Sequence, residues 1–332
     1  MAFCVIVSVI YRGAQSVRYE RKYFDMNDLQ NRIAQLKQEK NAVILAHYYV
    51  RDEVQEVADY IGDSFYLSKI ATETTKDTIV FCGVSFMGES AKLLNPEKTV
   101  LMPDKTADCP MAHMADIRKI QTLRKQHNDL AVVCYINSTA ELKRYADVCV
   151  TSANALKIVK NLPNQHIFFI PDGNLGRYIA AQVPEKDFIF NDGCCYVHAN
   201  LTREHIREAR ELHPGSKFLA HPECRPEVLE LADFIGSTSE IITYAGTDKT
   251  DEYIIGTELG VLYELKKNNP DKSFYPAGPA LNCQDMKKIT LEKIIHVLET
   301  GANSVLMTEQ ERTEANVPLT RMLELAQVND RG

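Results

Sequence analysis

Ala58-Asp59-Tyr60, Ala146-Asp147-Val148 and Ala232-Asp233-Phe234 carry one short pattern, an Ala-Asp pair followed by an apolar residue, at intervals of 88 and 86 residues. A second pattern, Pro-acid-Lys, stands at Pro96-Glu97-Lys98, Pro184-Glu185-Lys186 and Pro270-Asp271-Lys272, and each proline follows its alanine by 38 residues. Six anchors in common register make the chain a triplicated unit of about 87 residues, the size of a small domain.

Each unit reads alike. An apolar run opens it (Val43 to Ala46, Ala131 to Cys134, Lys217 to Ala220) and predicts a buried strand. A polar loop and a short helix follow, over Glu53 to Asp59, Glu141 to Ala146 and Glu227 to Ala232. A second strand ends in a hydroxyl-rich turn: Gly62-Asp63-Ser64, Thr151-Ser152-Ala153, Gly236-Ser237-Thr238. A helix, a third apolar run (Ile79 to Cys82, Ile167 to Ile170, Tyr253 to Ile255), another helix and a fourth strand complete it. Strands alternating with helices imply parallel βαβ units covered on both faces. The fold class is therefore α/β: three tandem αβα sandwich domains with short parallel sheets, in pseudo-threefold arrangement around a central site. The expected divisions are an arm over 1–24, repeats over 25–128 and 129–214, and a third repeat with the C-terminal helix over 215–332.

Composition excludes several classes. The 332 residues are 45% apolar and 25% charged, an ordinary globular balance. A net charge of −7 offers no basic face for nucleic acid or anionic lipid. The longest apolar run, Phe3 to Ile10, falls short of the ~18 residues a membrane span needs and lacks the charged start of a secretory signal. A cytoplasmic protein is expected. No Gly-x-Gly-x-x-Gly, Walker, zincin or Gly-x-Ser-x-Gly pattern is present.

Ligands of parallel sheets sit beyond the carboxyl ends of the strands. Twelve residues before each anchor aspartate stand His47, Tyr135 and His221, and two further on Tyr49, Asn137 and Glu223. Six polar groups at matched places after buried strands point to one shared pocket. Three of the nine cysteines are also in register: Cys109, Cys195 and Cys283 follow the prolines of the second anchor by 13, 11 and 13 residues. Cys82, Cys134 and Cys149 read as core, Cys194 and Cys224 have no threefold partners, and Cys4 lies in the arm. Thr202 and Thr290 read as caps of the helices that follow the last two cysteine loops. Three thiolates, one per domain, suit a metal centre. A closed zinc site wants a fourth ligand that is not evident, whereas a [4Fe-4S] cluster on three cysteines leaves one iron open as a Lewis acid. Spacing ranks the cluster above zinc, with three structural thiols as the alternative.

Ala46-His47-Tyr48-Tyr49, Gly62-Asp63-Ser64, Phe86 to Lys92, Thr151 to Asn154, Pro171-Asp172, Leu175 to Tyr178, Gly193 to His198, His221-Pro222-Glu223 and Gly236 to Ser239 together resemble the quinolinate synthase family. The resemblance runs from about residue 30 to the C-terminus. It implies a pseudo-threefold enzyme with a [4Fe-4S] cluster on Cys109, Cys195 and Cys283. It also implies condensation of iminoaspartate with dihydroxyacetone phosphate to quinolinate, phosphate and water for NAD biosynthesis. Transient contact with an iminoaspartate-producing aspartate oxidase or dehydrogenase fits that role. The implied site comprises His47, Tyr49, Asp63, Ser64, Tyr135, Asn137, Ser152, His198, Glu223, Ser237 and Thr238, which the register extends to His221. Ser64, Ser152, Ser237 and Thr238, at helix starts, are expected to combine with backbone amides in holding anions. Glu223, Tyr49, His47, His198 and Tyr135 are the expected proton-transfer groups. A non-catalytic iron–sulfur sensor is the competing reading, and the absence of a basic effector helix weighs against it.

Overall fold

The computed structural model describes residues 26–327, so Cys4 and the expected arm lie outside the described residues. Three sheets form, each four-stranded and parallel throughout. The first pairs β1 (Ala42–His47), β2 (Tyr60–Gly62), β3 (Thr78–Cys82) and β4 (Thr99–Leu101) in the order β2-β1-β3-β4. The second uses β5 (Ala131–Tyr135), β6 (Val148–Val150), β7 (His166–Ile170) and β8 (Asp187–Phe190) in the order β6-β5-β7-β8. The third repeats the order as β10-β9-β11-β12 with β9 (Lys217–Ala220), β10 (Phe234–Ile235), β11 (Glu252–Gly256) and β12 (Ser273–Pro276). The three αβα units expected from the anchors are present.

Central strands are apolar between their end residues because helices cover both faces. In the third sheet Phe218, Ala220 and Ile254 pack into one core while Leu219, Tyr253 and Ile255 pack into the opposite one. The first two repeats share a single continuous core instead.

The anchors have a physical function. Asp59, Asp147 and Asp233 each accept the amide of the opening strand, at 2.8 Å from Ile44, 2.7 Å from Val132 and 2.7 Å from Phe218. Their own amides donate back to the carbonyls of those residues. A cation closes each set: Lys37, Arg124 and Arg210 lie 2.6, 2.9 and 3.1 Å from the carboxylates. The lysines of the second anchor act likewise. Lys186 Nζ donates to the carbonyls of Leu162 and Asn164 at 2.7 and 2.8 Å, and Lys272 Nζ to Ala245 and Asp248 at 2.7 and 2.6 Å. Lys98 does the same with Ala71 and Thr74. These carbonyls lie at or just beyond helix C-termini, where a cation is favoured.

Because the aspartate amide is committed to the strand, the preceding helix stops early. Expected over Glu227 to Ala232, it spans Pro226–Leu229, and its counterparts span Asp52–Val57 and Ala140–Lys143. Thr202 caps its helix through the amide of His205, whereas Thr290 occupies the cap position without a side-chain bond. The chain after the third sheet returns to the other two. Helix Leu291–Thr300 packs on Met26–Glu39, where Arg32 pairs with Glu299 at 2.7 Å, and residues 303–305 bond to the edge of the first sheet. Helix Glu309–Gln327 buries Ala315, Leu319 and Met322 against repeats 1 and 2.

Asp147→Ala leaves the Val132 amide without its acceptor and Arg124 without its carboxylate. A loss of about 1–3 kcal/mol is expected, measured as a melting temperature several degrees lower with the secondary structure unchanged.

Candidate active site

β1 ends at His47 and β5 at Tyr135, and His221 follows β9 with its amide on the Gly256 carbonyl at 3.2 Å. The three residues thus leave equivalent strands at one end of their sheets, and the strand ends meet around one cavity. It is lined by His47, Tyr49, Asp63, Ser64, Tyr135, Asn137, Ser152, His198, His221, Glu223 and Thr238. Cys109, Cys195 and Cys283 line it as well, one from each repeat. Ser237 is the exception. It is fully buried outside this lining, its hydroxyl accepting the Glu240 amide and its own amide donating to Glu240 Oε2, a complete capping box.

Local backbone sets the imidazoles. His47 Nδ1 accepts the Tyr49 amide at 3.2 Å and His221 Nδ1 accepts the Glu223 amide at 3.3 Å, so each neutral ring carries its proton on Nε2. Burial pushes both imidazoles down to about 3. Both are neutral donors at neutral pH.

Glu223 is the charge at the centre. Its Oε1 accepts the Tyr135 hydroxyl at 2.6 Å, and its Oε2 lies 2.8 Å from His198 Nδ1. That second contact is close without being an aligned hydrogen bond, since His198 Nδ1 has no hydrogen-bond partner. Burial works to raise the carboxyl, but the His198 and His221 imidazoles and the Tyr135 hydroxyl outweigh it and hold it below the usual carboxylate range. With His221 neutral, His198 and Tyr135 carry that balance. His198 Nε2 continues to Thr257 Oγ1 at 2.9 Å, Thr257 to the Tyr49 hydroxyl at 2.8 Å, and Tyr49 to Thr238 Oγ1 at 2.7 Å. Burial and the Glu223 charge raise both phenols well above their ordinary value, so they remain protonated. A hydrogen-bonded chain drawn from all three repeats results.

Among the described residues lining the cavity there is no lysine or arginine. Two buried oxygens on its wall, Asn137 Oδ1 and Thr151 Oγ1, have no partner, which points to a polar ligand. Asp63 caps helix Ser64–Glu73 through the Tyr66 amide and accepts the Ser239 hydroxyl at 2.5 Å, joining repeats 1 and 3 above the site. Ser64 and Thr238 are the first residues of ten-residue helices, whose free amides favour anions.

The three cysteines are free, and burial raises their thiols, Cys109 to about 12, with no cation beside them. Such surroundings suit a resting thiolate nucleophile poorly and a metal ligand well, since a bound metal itself deprotonates the thiol. Donor atoms of Cys195, His198 and Glu223 lie within 4.8 Å of one another, so the site has a donor set capable of metal coordination. The site residues expected from the sequence omit Thr257, Asp172 and Glu258, although Asp172 stands in the Pro171-Asp172 motif. Asp172 and Glu258 stand two residues after β7 and β11, 86 apart, a register that counting would have exposed.

Fold and site define a threefold α/β enzyme with a closed, cation-poor cavity and a metal-capable wall. Residues 31–324 match the family model described as Quinolinate synthetase A protein. The chain is 50% identical over 302 residues to a quinolinate synthase of Caldicellulosiruptor saccharolyticus, covering 91% of this chain and 100% of that one. It is 51% identical over 298 residues to that of Fusobacterium nucleatum, covering 90% and 99%. It is 46% identical over 307 residues to that of Aquifex aeolicus, covering 91% and 95%. The chain belongs to the quinolinate synthase family. No helix among the described residues is long and apolar enough to cross a membrane.

The imidazoles carry a pH prediction. In the unfolded chain His47 and His221 protonate near 6.5, and in the folded chain only near 3, so the unfolded state binds more protons between those values. Stability is full above pH 6.5 and falls as pH drops, by about 1.4 kcal/mol per pH unit for each ring. Thermal melts of the chelator-treated protein from pH 7 to 4 should show this slope, and the His47→Gln/His221→Gln double variant should flatten it. An unchanged slope in the double variant would refute the assignment.

Proposed function

We propose that the chain condenses iminoaspartate with dihydroxyacetone phosphate, forming quinolinate and releasing phosphate and water, for NAD biosynthesis. The observation that carries this reading is that one cysteine from each repeat lines the same cavity as the Glu223 network. Family membership supports the reaction, and the donor set supports a metal-dependent one.

Cys109, Cys195 and Cys283 would hold a [4Fe-4S] cluster; three thiols that are half-buried and otherwise unengaged by disulfides fit it. When bound, the cluster supplies a Lewis-acidic iron for a substrate oxygen. The condensation balances without net electron transfer, so no redox role is assigned to it.

The protein's own groups do the rest. Both substrates are anions, and with no lysine or arginine on the wall their charge must be met by oriented dipoles. The Nε2–H of His47 and His221, the Asn137 amide and the hydroxyls of Ser64, Ser152 and Thr238 supply donors, aided by the helix starts at Ser64 and Thr238. Asp63 holds its helix start and the contact with Ser239 that closes the cavity. Glu223 is the proton acceptor. Held low by Tyr135 and His198 it is a weak base, and it strengthens when a ligand draws either partner away. Tyr49 and Tyr135, protonated and hydrogen-bonded, return protons to leaving oxygens. His198 stands between Glu223 and Thr257 and orients both, and the apolar walls of Phe86, Met87 and Met111 exclude water. The iminoaspartate supplier is an aspartate oxidase or dehydrogenase, expected to dock transiently.

Cys109→Ser, Cys195→Ser and Cys283→Ser should each lose iron, sulfide and quinolinate formation after anaerobic purification. A full cluster in any of the three would remove that cysteine from the ligand set. Glu223→Gln should retain the cluster spectrum while turnover falls by about 10²–10⁴; near-normal turnover would take Glu223 out of the proton transfers.

A further inference from the structure

Each of the three cysteine loops is fastened to the loop after the third strand of its own sheet, by one backbone bond in all three repeats and by a carboxylate as well in the second and third. One bond is backbone only. The amides of Ser85, Gly173 and Leu259 donate to the carbonyls of Ala107, Gly193 and Leu281 at 2.8, 2.8 and 2.9 Å. In every repeat that carbonyl lies two residues before the cysteine, so the geometry is threefold.

The second bond uses a carboxylate. Asp172 Oδ2 accepts the Cys195 amide at 3.2 Å while its Oδ1 accepts the Leu175 amide at 2.8 Å. Glu258 Oε1 accepts the Cys283 amide at 3.0 Å while its Oε2 accepts the Gly260 amide at 2.6 Å. Both side chains are fully buried and accept an amide on each oxygen, one of them always that of the cysteine; Glu258 Oε1 is in addition paired with Lys287 Nζ at 3.1 Å. In the first repeat the corresponding residue is Val84, which cannot accept a hydrogen bond. There Asp108, adjacent to the cysteine, takes the Cys109 amide at 2.8 Å and is itself held by the Ser85 hydroxyl.

Asp172 also caps its helix and Glu258 also pairs with Lys287, but neither contact gives a reason for the acid to reach the cysteine amide. Recurrence on the one amide that fixes a sulfur's direction supplies the reason. Resting on the ligand assignment above, we infer that Asp172 and Glu258, with the Ser85–Asp108 pair in the first repeat, are positioning residues for the metal centre. They set the three thiols before the metal arrives, and they take up the cysteine N–H that would otherwise be free to bond to sulfur.

The test uses the reconstituted holoprotein and reads cluster retention rather than turnover. Asp172→Asn and Glu258→Gln keep the shape but offer one acceptor oxygen to two amides. Iron release to a chelator is expected to accelerate about tenfold or more, and the electron paramagnetic resonance signal of the reduced cluster to shift. Ser85→Ala, a milder change, should move release in the same direction. Asp233→Asn serves as the control, because it removes a comparable carboxylate–amide bond far from the cysteines and should lower the melting temperature without hastening release. Release within twofold of wild type in Asp172→Asn and Glu258→Gln would overturn the inference, as would equal acceleration in Asp233→Asn. Failure of the ligand assignment itself looks different: the wild-type chain would then take up no iron and sulfide.

Discussion

Parallel pairing delivers every strand of a sheet to the same edge, carboxyl end first, and leaves the loops there without partners of their own. A single sheet of four short strands exposes that edge to water. Three of them set edge to edge enclose it, and the enclosed volume inherits whatever side chains follow the strands. Here those are two imidazoles, two phenols, an amide and a carboxylate, followed by three cysteine loops. The chemistry of the site is in this sense a property of strand direction. Reverse one sheet and the polar residues that follow its strands would face solvent.

Enclosure makes charge expensive, and the site answers it sparingly. Glu223 is the charged carboxylate at its centre, and one imidazole, His198, sits beside it at 2.8 Å. The other two imidazoles are kept neutral by burial, and the phenols are kept protonated by burial together with the Glu223 charge. On the proposed reaction, a cavity that admits two anionic substrates and releases two anionic products gains from this arrangement. A lysine or arginine on the wall would bind phosphate in the substrate and in the product alike, and uniform binding of that sort does not raise turnover. Oriented neutral donors bind anions less tightly and let them go.

Much of this was legible in the sequence because the repeat anchors are tertiary contacts rather than local signals. An aspartate that holds the opening strand, and a lysine that holds helix-end carbonyls, cannot drift without loosening a sheet, so their spacing survives where the rest of the unit does not. The strands were legible because both faces are buried. Other features were hidden for identifiable reasons. Ser237 looks like an anion-binding hydroxyl because a cap and an anion site use the same group at the same place; the glutamate three residues on, Glu240, was the distinguishing sign. The placement of helix Glu309–Gln327 was not legible at all, since it carries Pro318 and a weak apolar stripe and is held by surfaces of two distant repeats. The link from His198 through Thr257 to Tyr49 joins residues 59 and 208 apart, which no local pattern encodes.

The backbone is threefold, but the side chains inside it are not, and the departures fall where chemistry requires them. Residues equivalent by strand register are His47, Tyr135 and His221, then Tyr49, Asn137 and Glu223. Three identical sets would place three glutamates in one cavity, and like charges at that range cannot all ionise. A glutamate at one of the three matched positions, with dissimilar partners at the other two, can have one proton inventory and one direction of transfer. The same logic runs through the cysteine loops. The backbone bond is kept in all three repeats, while the carboxylate is conserved in position in two and displaced onto Asp108 in the first, where Val84 stands nearest Phe86 and Met87 on the apolar side of the cavity. Symmetry builds the enclosure and brings the sulfurs to it; the broken symmetry gives the enclosure a polar side and an apolar side, and so an orientation for what enters.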